Sequence, residues 1–457
     1  MADDIHLADS SHMASGIQTA DGTNMADSIH TTSSRKLHNR DRYLEEALMF
    51  RDTDLVKVVT GIRRCGKSSL LGLVRSRIES EQDPTRAFVS VNLENREFGI
   101  KTADDLYAYC KAHLSKDGKT YFFLDEIQRI EGWHDVVNSM RVGFDCDIYL
   151  TGSNAFLLSG ELATYLSGRY VEIKMLPLAL SEYASFCDLR ISKDHALAIP
   201  PAGDPLTTDR LLERYLEFGG MPAIASLTTT RAEHRTYLSS LYETVIVRDI
   251  PDRERNASQR AIQNPDALRL ITEFLADNVG NPASAKKIAD TLTSAGSKIS
   301  DKTVAAYIRA LDDAYIFYPT KRFDLHGKAI LRTAPKQYIV DTGLRSFLTN
   351  YRGSNIGRVF ENAVYLQFLY EGWTAHVGRL YDQEVDFVCT KEGRTVYLQV
   401  TDELYSEQTR KREIAPLAKI RDNYEKAIVV RQGDYDRDVD GIRIIPARDF
   451  FFADKDE

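Results

Sequence analysis

Gly61-Ile-Arg-Arg-Cys-Gly-Lys-Ser68 is the stretch that decides how the first part of this 457-residue chain folds. It matches the pattern G-x-x-x-x-G-K-[ST], follows a strand-like run over 55–60 and precedes a helical pattern. In such a loop the backbone N–H groups face inward, and the positive N-terminus of the next helix points at the same place. The bare pattern arises by chance in about one or two of a hundred chains this long. The flanking strand and helix therefore support the prediction of a phosphate-binding loop.

The side chains of this loop have separate predicted roles. Lys67 would reach the β- and γ-phosphates, and Ser68 would offer its hydroxyl to Mg²⁺. The predicted binding residues are Gly61, Ile62, Arg63, Arg64, Cys65, Gly66, Lys67, Ser68 and Ser69.

Short apolar runs alternate with longer amphipathic stretches from Leu55 to about Leu176. This alternation is typical of an α/β fold with a parallel sheet covered on both faces by helices. The predicted strands cover 55–60, 87–92, 120–124 and 147–151.

An acidic pair, Asp125-Glu126, follows the third predicted strand. Asp125 would hold Mg²⁺ through water, and Glu126 would orient or deprotonate the attacking water. The alternative is that Asp125 only caps the next helix. Because a phosphate-binding loop lies upstream at a suitable separation, we favour the functional interpretation.

Two further polar side chains are candidates for the same site. The fourth strand ends in Gly152-Ser153-Asn154, which would place Asn154 near the γ-phosphate as a sensor that positions water. Alternatively, Asn154 is an ordinary turn residue. Arg169 would stabilise transition-state charge, either across a subunit boundary or within its own site, although a surface arginine would give the same sequence.

Five segments together resemble a family of bacterial and archaeal AAA+-type ATPases whose members carry a C-terminal domain of unknown function. They are the phosphate-binding loop, Phe123–Gln128 with Trp133, Leu150–Asn154, Leu166–Arg169 and Leu176–Tyr183. The resemblance extends from about residue 40 to the C-terminus. It implies binding of ATP and Mg²⁺, ATP hydrolysis and assembly of a homo-oligomeric ring, a hexamer, but no defined substrate.

Residues 178–262 are predicted to form a mostly helical lid beside the nucleotide, with one helix ending at Gly219-Gly-Met-Pro222. Within 242–249, charged residues interrupt an apolar stripe. We favour a helix with a salt-bridged flank over a second nucleotide-contacting arginine at Arg248.

Residues 263–345 have the order of a winged helix. The pattern predicts helices over 267–278, 284–293 and 301–313, followed by strands over 315–318 and 337–340. The third helix would be the DNA reader. It carries only Lys302 and Arg309 against Asp301, Asp312 and Asp313. This charge balance matches phosphate poorly, so we favour protein packing or ring building over nucleic-acid binding.

Residues 346–457 resemble the restriction-endonuclease-like fold, in which a helix Glu, a strand Asp and a Glu-x-Lys on the next strand form one metal site. Glu361 and Asp386 match this pattern. Gln399 stands in place of the acid, and Thr401 in place of the lysine. Metal binding and water activation should both be weakened. We therefore expect a degenerate scaffold rather than an active nuclease.

Composition and net charge limit the classes of protein and of binding site that this chain can represent. The net charge of −8 provides no general basic field for nucleic acid, and 43% hydrophobic residues suffice for real cores. Five scattered cysteines without a C-x-x-C pair argue against structural zinc and disulfides. We see neither an apolar run of about 18 residues nor a signal peptide, so we expect no membrane contact and a cytoplasmic location. Residues 1–38 are predicted to be a disordered tail or a tag remnant.

The sequence thus predicts a P-loop ATPase core (39–177), a helical lid (178–262), a winged-helix module (263–345) and an endonuclease-like domain (346–457). The predicted function is Mg²⁺-dependent ATP hydrolysis by an oligomeric ring that acts on an unknown macromolecule. The alternatives are an ATP-gated nuclease and a nucleotide-dependent DNA-binding regulator.

Overall fold

The computed structural model describes residues 38–153, 166, 168–226, 230–251, 262, 264–331, 333–350 and 355–453. None of the helices in these ranges is long and apolar enough to cross a membrane.

A parallel sheet flanked by helices forms the N-terminal part of the described chain. Its elements are α1 (Asp41–Met49), β1 (Val56–Thr60), α2 (Lys67–Glu79), β2 (Ala87–Asn92), α3 (Ala103–Ala112), β3 (Thr120–Asp125), α4 (Trp133–Gly143), β4 (Cys146–Thr151) and β5 (Tyr170–Lys174). The strand order is β2-β3-β4-β1-β5, and every pairing is parallel. The four predicted strands are confirmed to within one residue at each end, and β5 is an additional strand.

Both faces of this sheet are buried, as expected for parallel strands. All residues of β1 and β3 are buried. Side chains alternate between two cores: Val59 and Phe123 share a cluster with Leu70 of α2, whereas Val58 and Leu124 belong to the cluster of α3 and α4. Because all five strands are parallel, their carboxyl ends meet at one edge. The loop at 61–66 and the acidic pair both lie at that edge.

The segment after β5 is mostly helical, as predicted, but it also contains a small antiparallel sheet. Its elements are α5 (Leu180–Phe186), β6 (Arg190–Ile191), β7 (Leu197–Ile199), β8 (Leu206–Thr207), α6 (Thr208–Phe218), α7 (Pro222–Ser226), α8 (Arg231–Tyr242) and a π-helical segment (Glu243–Asp249). Helix α6 ends before Gly219, whose φ of 82° is left-handed. The backbone N–H of Gly220 donates to Asp341 Oδ2 at 2.7 Å, which fastens this turn to a later part of the chain.

Three helices follow in the predicted order, and after them come four strands instead of the predicted two. They are α9 (Pro265–Asp277), α10 (Ala285–Ser294), α11 (Asp301–Asp313), β9 (Phe317–Thr320), β10 (Arg322–Asp324), β11 (Ala329–Ile330) and β12 (Lys336–Ile339). Side chains of Asn264, Ser284 and Ser300 cap the three helices. Strands β9 and β12 pair antiparallel. The three helices confirm the pattern, and the winged-helix assignment stays a prediction.

The C-terminal part is built on a mixed sheet. Its elements are α12 (Thr342–Leu348), α13 (Ile356–Tyr370), β13 (Thr374–Leu380), β14 (Gln383–Lys391), β15 (Arg394–Leu404), α14 (Glu407–Ala418), β16 (Glu425–Gly433), β17 (Asp438–Val439), β18 (Ile442–Pro446) and α15 (Ala447–Phe452). The strand order is β11-β10-β13-β14-β15-β16-β18-β17. Because β10 pairs with β13, the hairpin of β10 and β11 extends this sheet. The likeness to a restriction endonuclease stays a prediction.

Candidate nucleotide-binding site

The loop between β1 and α2 has the backbone that phosphate binding requires. Gly61 has a φ of 138°, and a Cβ atom there would lie 2.1 Å from the carbonyl oxygen of Met175. Gly66 has a φ of 108° and forms the N-cap of α2 without any side-chain hydrogen bond. The first N–H groups of α2 therefore have no side-chain cap and are available to an anion.

Lys67 lies folded against its own loop. Its ammonium donates to the carbonyl oxygens of Gly61 at 3.0 Å and Ile62 at 3.1 Å, and the side chain is only 4% exposed. Ser68, the next residue, is exposed. A phosphate group at this loop would offer the ammonium a charged acceptor in place of two neutral carbonyls, which makes stronger hydrogen bonds.

A buried arginine connects the phosphate-binding loop to the segment that follows β5. The Arg40 guanidinium donates to the carbonyl oxygens of Cys65 at 3.0 Å and Leu176 at 2.9 Å, and it pairs with Glu182 at 2.6 Å. Nothing in the local sequence indicates this role, because Glu182 lies 142 residues further along the chain.

Asp125 is held by the ends of the two neighbouring strands. Asn92 Nδ2 at the end of β2 donates to Asp125 Oδ2 at 3.0 Å, and the Thr151 hydroxyl at the end of β4 donates to Asp125 Oδ1. The N-caps of the two helical segments that follow β3 are Glu126 and Gly132. The alternative that Asp125 serves as a helix cap is therefore wrong.

Glu126 has a left-handed backbone, with a φ of 57°. This conformation is strained for a residue other than glycine and must be stabilised by its surroundings. Its N–H donates to the Thr151 hydroxyl at 2.9 Å, and its carboxylate accepts hydrogen bonds from Gln128 and, at 3.5 Å, from Ser153. One hydroxyl, that of Thr151, thus contacts both members of the acidic pair. Sequence reasoning did not identify it, although its place at the end of a predicted strand is a usable signal.

The two arginines of the loop contact the helical segment that follows β5. Arg63 Nη1 lies 2.8 Å from Asp249 Oδ2, and Arg63 Nη2 lies 3.3 Å from Glu94 Oε1. The Arg64 guanidinium lies 5.9 Å from the centre of the Tyr237 ring. The charged flank predicted within 242–249 therefore pairs with the phosphate-binding loop through Asp249.

Arg169 lies at the amino ends of the strands, opposite the edge that carries the phosphate-binding loop. Its carbonyl oxygen accepts the N–H of Val56 at 3.0 Å, and its Nη1 lies 3.5 Å from Asn138 Oδ1. Val56 begins β1, whereas Gly61 follows its other end, and a strand of this length spans about 13 Å. The Arg169 backbone therefore lies at the end of β1 that is remote from Gly61. Its role, within its own site or across a subunit boundary, stays a prediction. Asn154 lies outside the described residues.

The residues at this edge fit a magnesium ion. Mg²⁺ prefers hard oxygen ligands, and the exposed Ser68 hydroxyl and the Asp125 carboxylate are of that kind. Among the described residues, each Asp125 oxygen accepts one hydrogen bond, which leaves lone pairs for the cation or its water.

Comparisons with known proteins agree with this geometry. The family described as AAA domain matches residues 53–184, and a domain of unknown function, DUF8612, matches residues 209–355. An uncharacterised protein of Haemophilus influenzae is 36% identical over 414 residues, which cover 90% of this chain and 98% of that protein. The chain belongs to this family of AAA-domain proteins.

The chain is also similar to proteins of archaea. An uncharacterised protein of Methanocaldococcus jannaschii is 28% identical over 378 residues, covering 82% of this chain and 78% of that protein. Among solved structures, a Walker-type ATPase of Pyrococcus abyssi is similar over 67% of this chain and 93% of its own, with 16% identity and a TM-score of 0.42. The ORC1 protein of Aeropyrum pernix, solved in complex with DNA, is similar over 68% and 91%, with 15% identity and a TM-score of 0.30. Scores this low support no inference about function.

The predicted P-loop, AAA-type core is confirmed by the family and by the five-stranded parallel sheet of the described residues. The roles of its individual residues stay predictions.

Proposed function

We propose that this AAA-domain protein hydrolyses ATP in a Mg²⁺-dependent reaction. The observation that supports the proposal most is the shared edge of one sheet, where the P-loop and Lys67 lie with the ordered acidic pair Asp125 and Glu126. An isolated motif would leave open whether these groups meet, and the parallel topology brings them to one place.

The loop would bind the phosphates through its main-chain N–H groups and through Lys67, whose ammonium would exchange two carbonyls for phosphate oxygens. When bound, Mg²⁺ would be held by Ser68 and Asp125 and would neutralise charge on the β- and γ-phosphates. Glu126 would then accept a hydrogen bond from the attacking water and orient it. Its hydrogen bonds from Gln128 and Ser153 keep that carboxylate in place.

We further infer that the protein works as a ring, a hexamer by family resemblance, in which Arg169 acts on the site of a neighbouring subunit. Two observations support the inference: Arg169 is exposed, and it lies at the edge of the sheet opposite to its own site. An arginine in such a position stabilises transition-state charge only when a second subunit brings a phosphate to it. The macromolecule on which the ring acts stays unassigned.

Phosphate release by the purified chain tests the proposed activity. Lys67→Ala should bind ATP poorly and lose turnover, whereas Glu126→Gln should retain ATP binding and lose turnover. Lys116→Ala, which removes an exposed ammonium outside the site, is the matched control and should behave as the wild type. Unchanged phosphate release by Lys67→Ala would refute the assignment.

A further inference from the structure

Three of the residues compared with the nuclease pattern, Asp386, Gln399 and Thr401, form hydrogen bonds within the C-terminal sheet. Gln399 Oε1 accepts the backbone N–H of Asp386 at 2.7 Å, and Asp386 Oδ2 accepts the backbone N–H of Val400 at 2.8 Å. The Thr401 hydroxyl donates to the carbonyl oxygen of Glu403 at 3.1 Å. The polar groups of these side chains thus form hydrogen bonds within and between β14 and β15. Across the described ranges, no group of three His, Cys, Asp or Glu side chains is placed to hold a metal ion.

A lysine from another part of the chain enters this site instead. Lys336 of β12 is 3% exposed, and its Nζ lies 2.7 Å from Glu384 Oε1 and 3.3 Å from Glu361 Oε1. The Tyr338 hydroxyl, on the same strand, donates to Glu361 Oε1 at 2.6 Å. The ammonium therefore lies between helix α13 and strand β14, which carry the two acidic residues that match the nuclease pattern.

The carboxylates around the Lys336 ammonium offset the cost of its burial. Burial alone lowers the pKa of Lys336, but the carboxylates of Glu361, Asp386 and Glu384 outweigh that effect and raise it above its ordinary value. Burial raises the pKa of Asp386, the charge of Glu361 raises it further, and the Lys336 ammonium opposes this shift. A lysine that stays protonated at this depth is the counter-ion that the acidic residues need.

We propose that the Lys336 ammonium occupies the cation position of the nuclease-like site. In place of a metal ion, it joins β12 to the C-terminal sheet through its ion pairs with Glu361 and Glu384. A second cation, from the hairpin of β10 and β11, adds an ion pair to this connection, since Arg322 Nη2 lies 2.9 Å from Glu384 Oε2. Occupied in this way, the site excludes divalent metal and takes no part in phosphodiester cleavage. This proposal does not depend on the proposed ATP hydrolysis, because the candidate nucleotide-binding site lies on the sheet of β1 to β5.

Binding of Mn²⁺ to the full-length, nucleotide-free chain tests the proposal, measured by electron paramagnetic resonance of the free ion. Lys336→Met removes the charge while keeping most of the volume, and it should bind Mn²⁺ at least tenfold more tightly than the wild type. Adding Glu361→Gln to Lys336→Met should abolish the gain, which separates this site from Asp125. Lys328→Met removes an exposed ammonium that pairs with Asp422 at 2.8 Å, so it serves as the control and should match the wild type.

Two results would overturn the proposal. The first is a folded Lys336→Met chain that binds Mn²⁺ no more tightly than the wild type. The second is that the wild-type chain binds one Mn²⁺ and the Glu361→Gln variant does not. This second comparison does not depend on the folding of Lys336→Met, because Glu361→Gln keeps the ammonium and its contact with Glu384. Equal binding by the wild type and Glu361→Gln is the result that we expect.

Discussion

Replacing Thr151 by valine should disconnect the two acidic residues of the candidate site while preserving the shape of the core. The wild-type hydroxyl donates to Asp125 Oδ1 and accepts the N–H of Glu126. Thr151 is fully buried, so no water can replace it without rearrangement. A hydrogen bond to a charged group contributes about 1.5 to 3 kcal/mol and a neutral one about 1 kcal/mol. We therefore expect Thr151→Val to lower the free energy of unfolding by about 3 kcal/mol.

The effect on turnover should exceed the effect on nucleotide binding. Glu126 has a left-handed backbone that costs about 1 to 3 kcal/mol, and the lost hydrogen bond is one of those that stabilise it. A displacement of about 1 Å at a reacting group can cost about a hundredfold in rate. We expect kcat for ATP to fall by about 10- to 100-fold and KM to change by less than about threefold, because the phosphate-binding loop is untouched.

Thr272→Val is the matched control. Thr272 is also fully buried, and its hydroxyl donates to the carbonyl oxygen of Leu268 at 2.8 Å, within α9. Its replacement should leave kcat unchanged. Urea denaturation and steady-state phosphate release, measured on both variants, separate loss of fold from loss of chemistry. A folded Thr151→Val chain with wild-type kcat would refute the role assigned to this hydroxyl.

Three further predictions concern Asp249, Gly219 and Asp312. Asp249→Asn removes the part-buried ion pair between the π-helical segment and the phosphate-binding loop, which contributes about 1 kcal/mol, so a fluorescent ATP analogue should dissociate about fivefold faster. Gly219→Ala would place a Cβ 2.3 Å from Asp341 Oδ1, whereas Gly203, also at positive φ, faces open space. In urea denaturation, Gly219→Ala should therefore cost about 2 kcal/mol more than Gly203→Ala. Burial raises the pKa of Asp312 from 3.8 to about 8, so the folded state holds this proton longer than the unfolded state, and stability should fall as pH rises from about 4 to 8. Asp312→Asn should remove up to about 1.4 kcal/mol per pH unit of that slope.

Local patterns predicted most of the regular elements. Strands β1 to β4 and helices α9 to α11 begin and end within about two residues of their predicted positions, because apolar periodicity and capping residues act over one or two turns. The pattern missed β5, an edge strand with half-exposed residues. It also missed the sheet of β6 to β8, whose strands have two or three residues each, too few to show a period.

The sequence by itself determined the phosphate-binding loop, with its glycines and Lys67, and the acidic pair that follows β3. Each of these depends on neighbours within about eight residues, so the order of residues is enough to specify it. Only the tertiary structure decided that Thr151 contacts both acidic residues, that the Arg169 backbone lies at the end of β1 remote from the loop, and that Lys336 lies between Glu361 and Glu384. Those positions depend on strand order and on contacts between residues that are 25 or more apart in the chain. Such contacts follow from how the sheets assemble, and a linear pattern does not contain them.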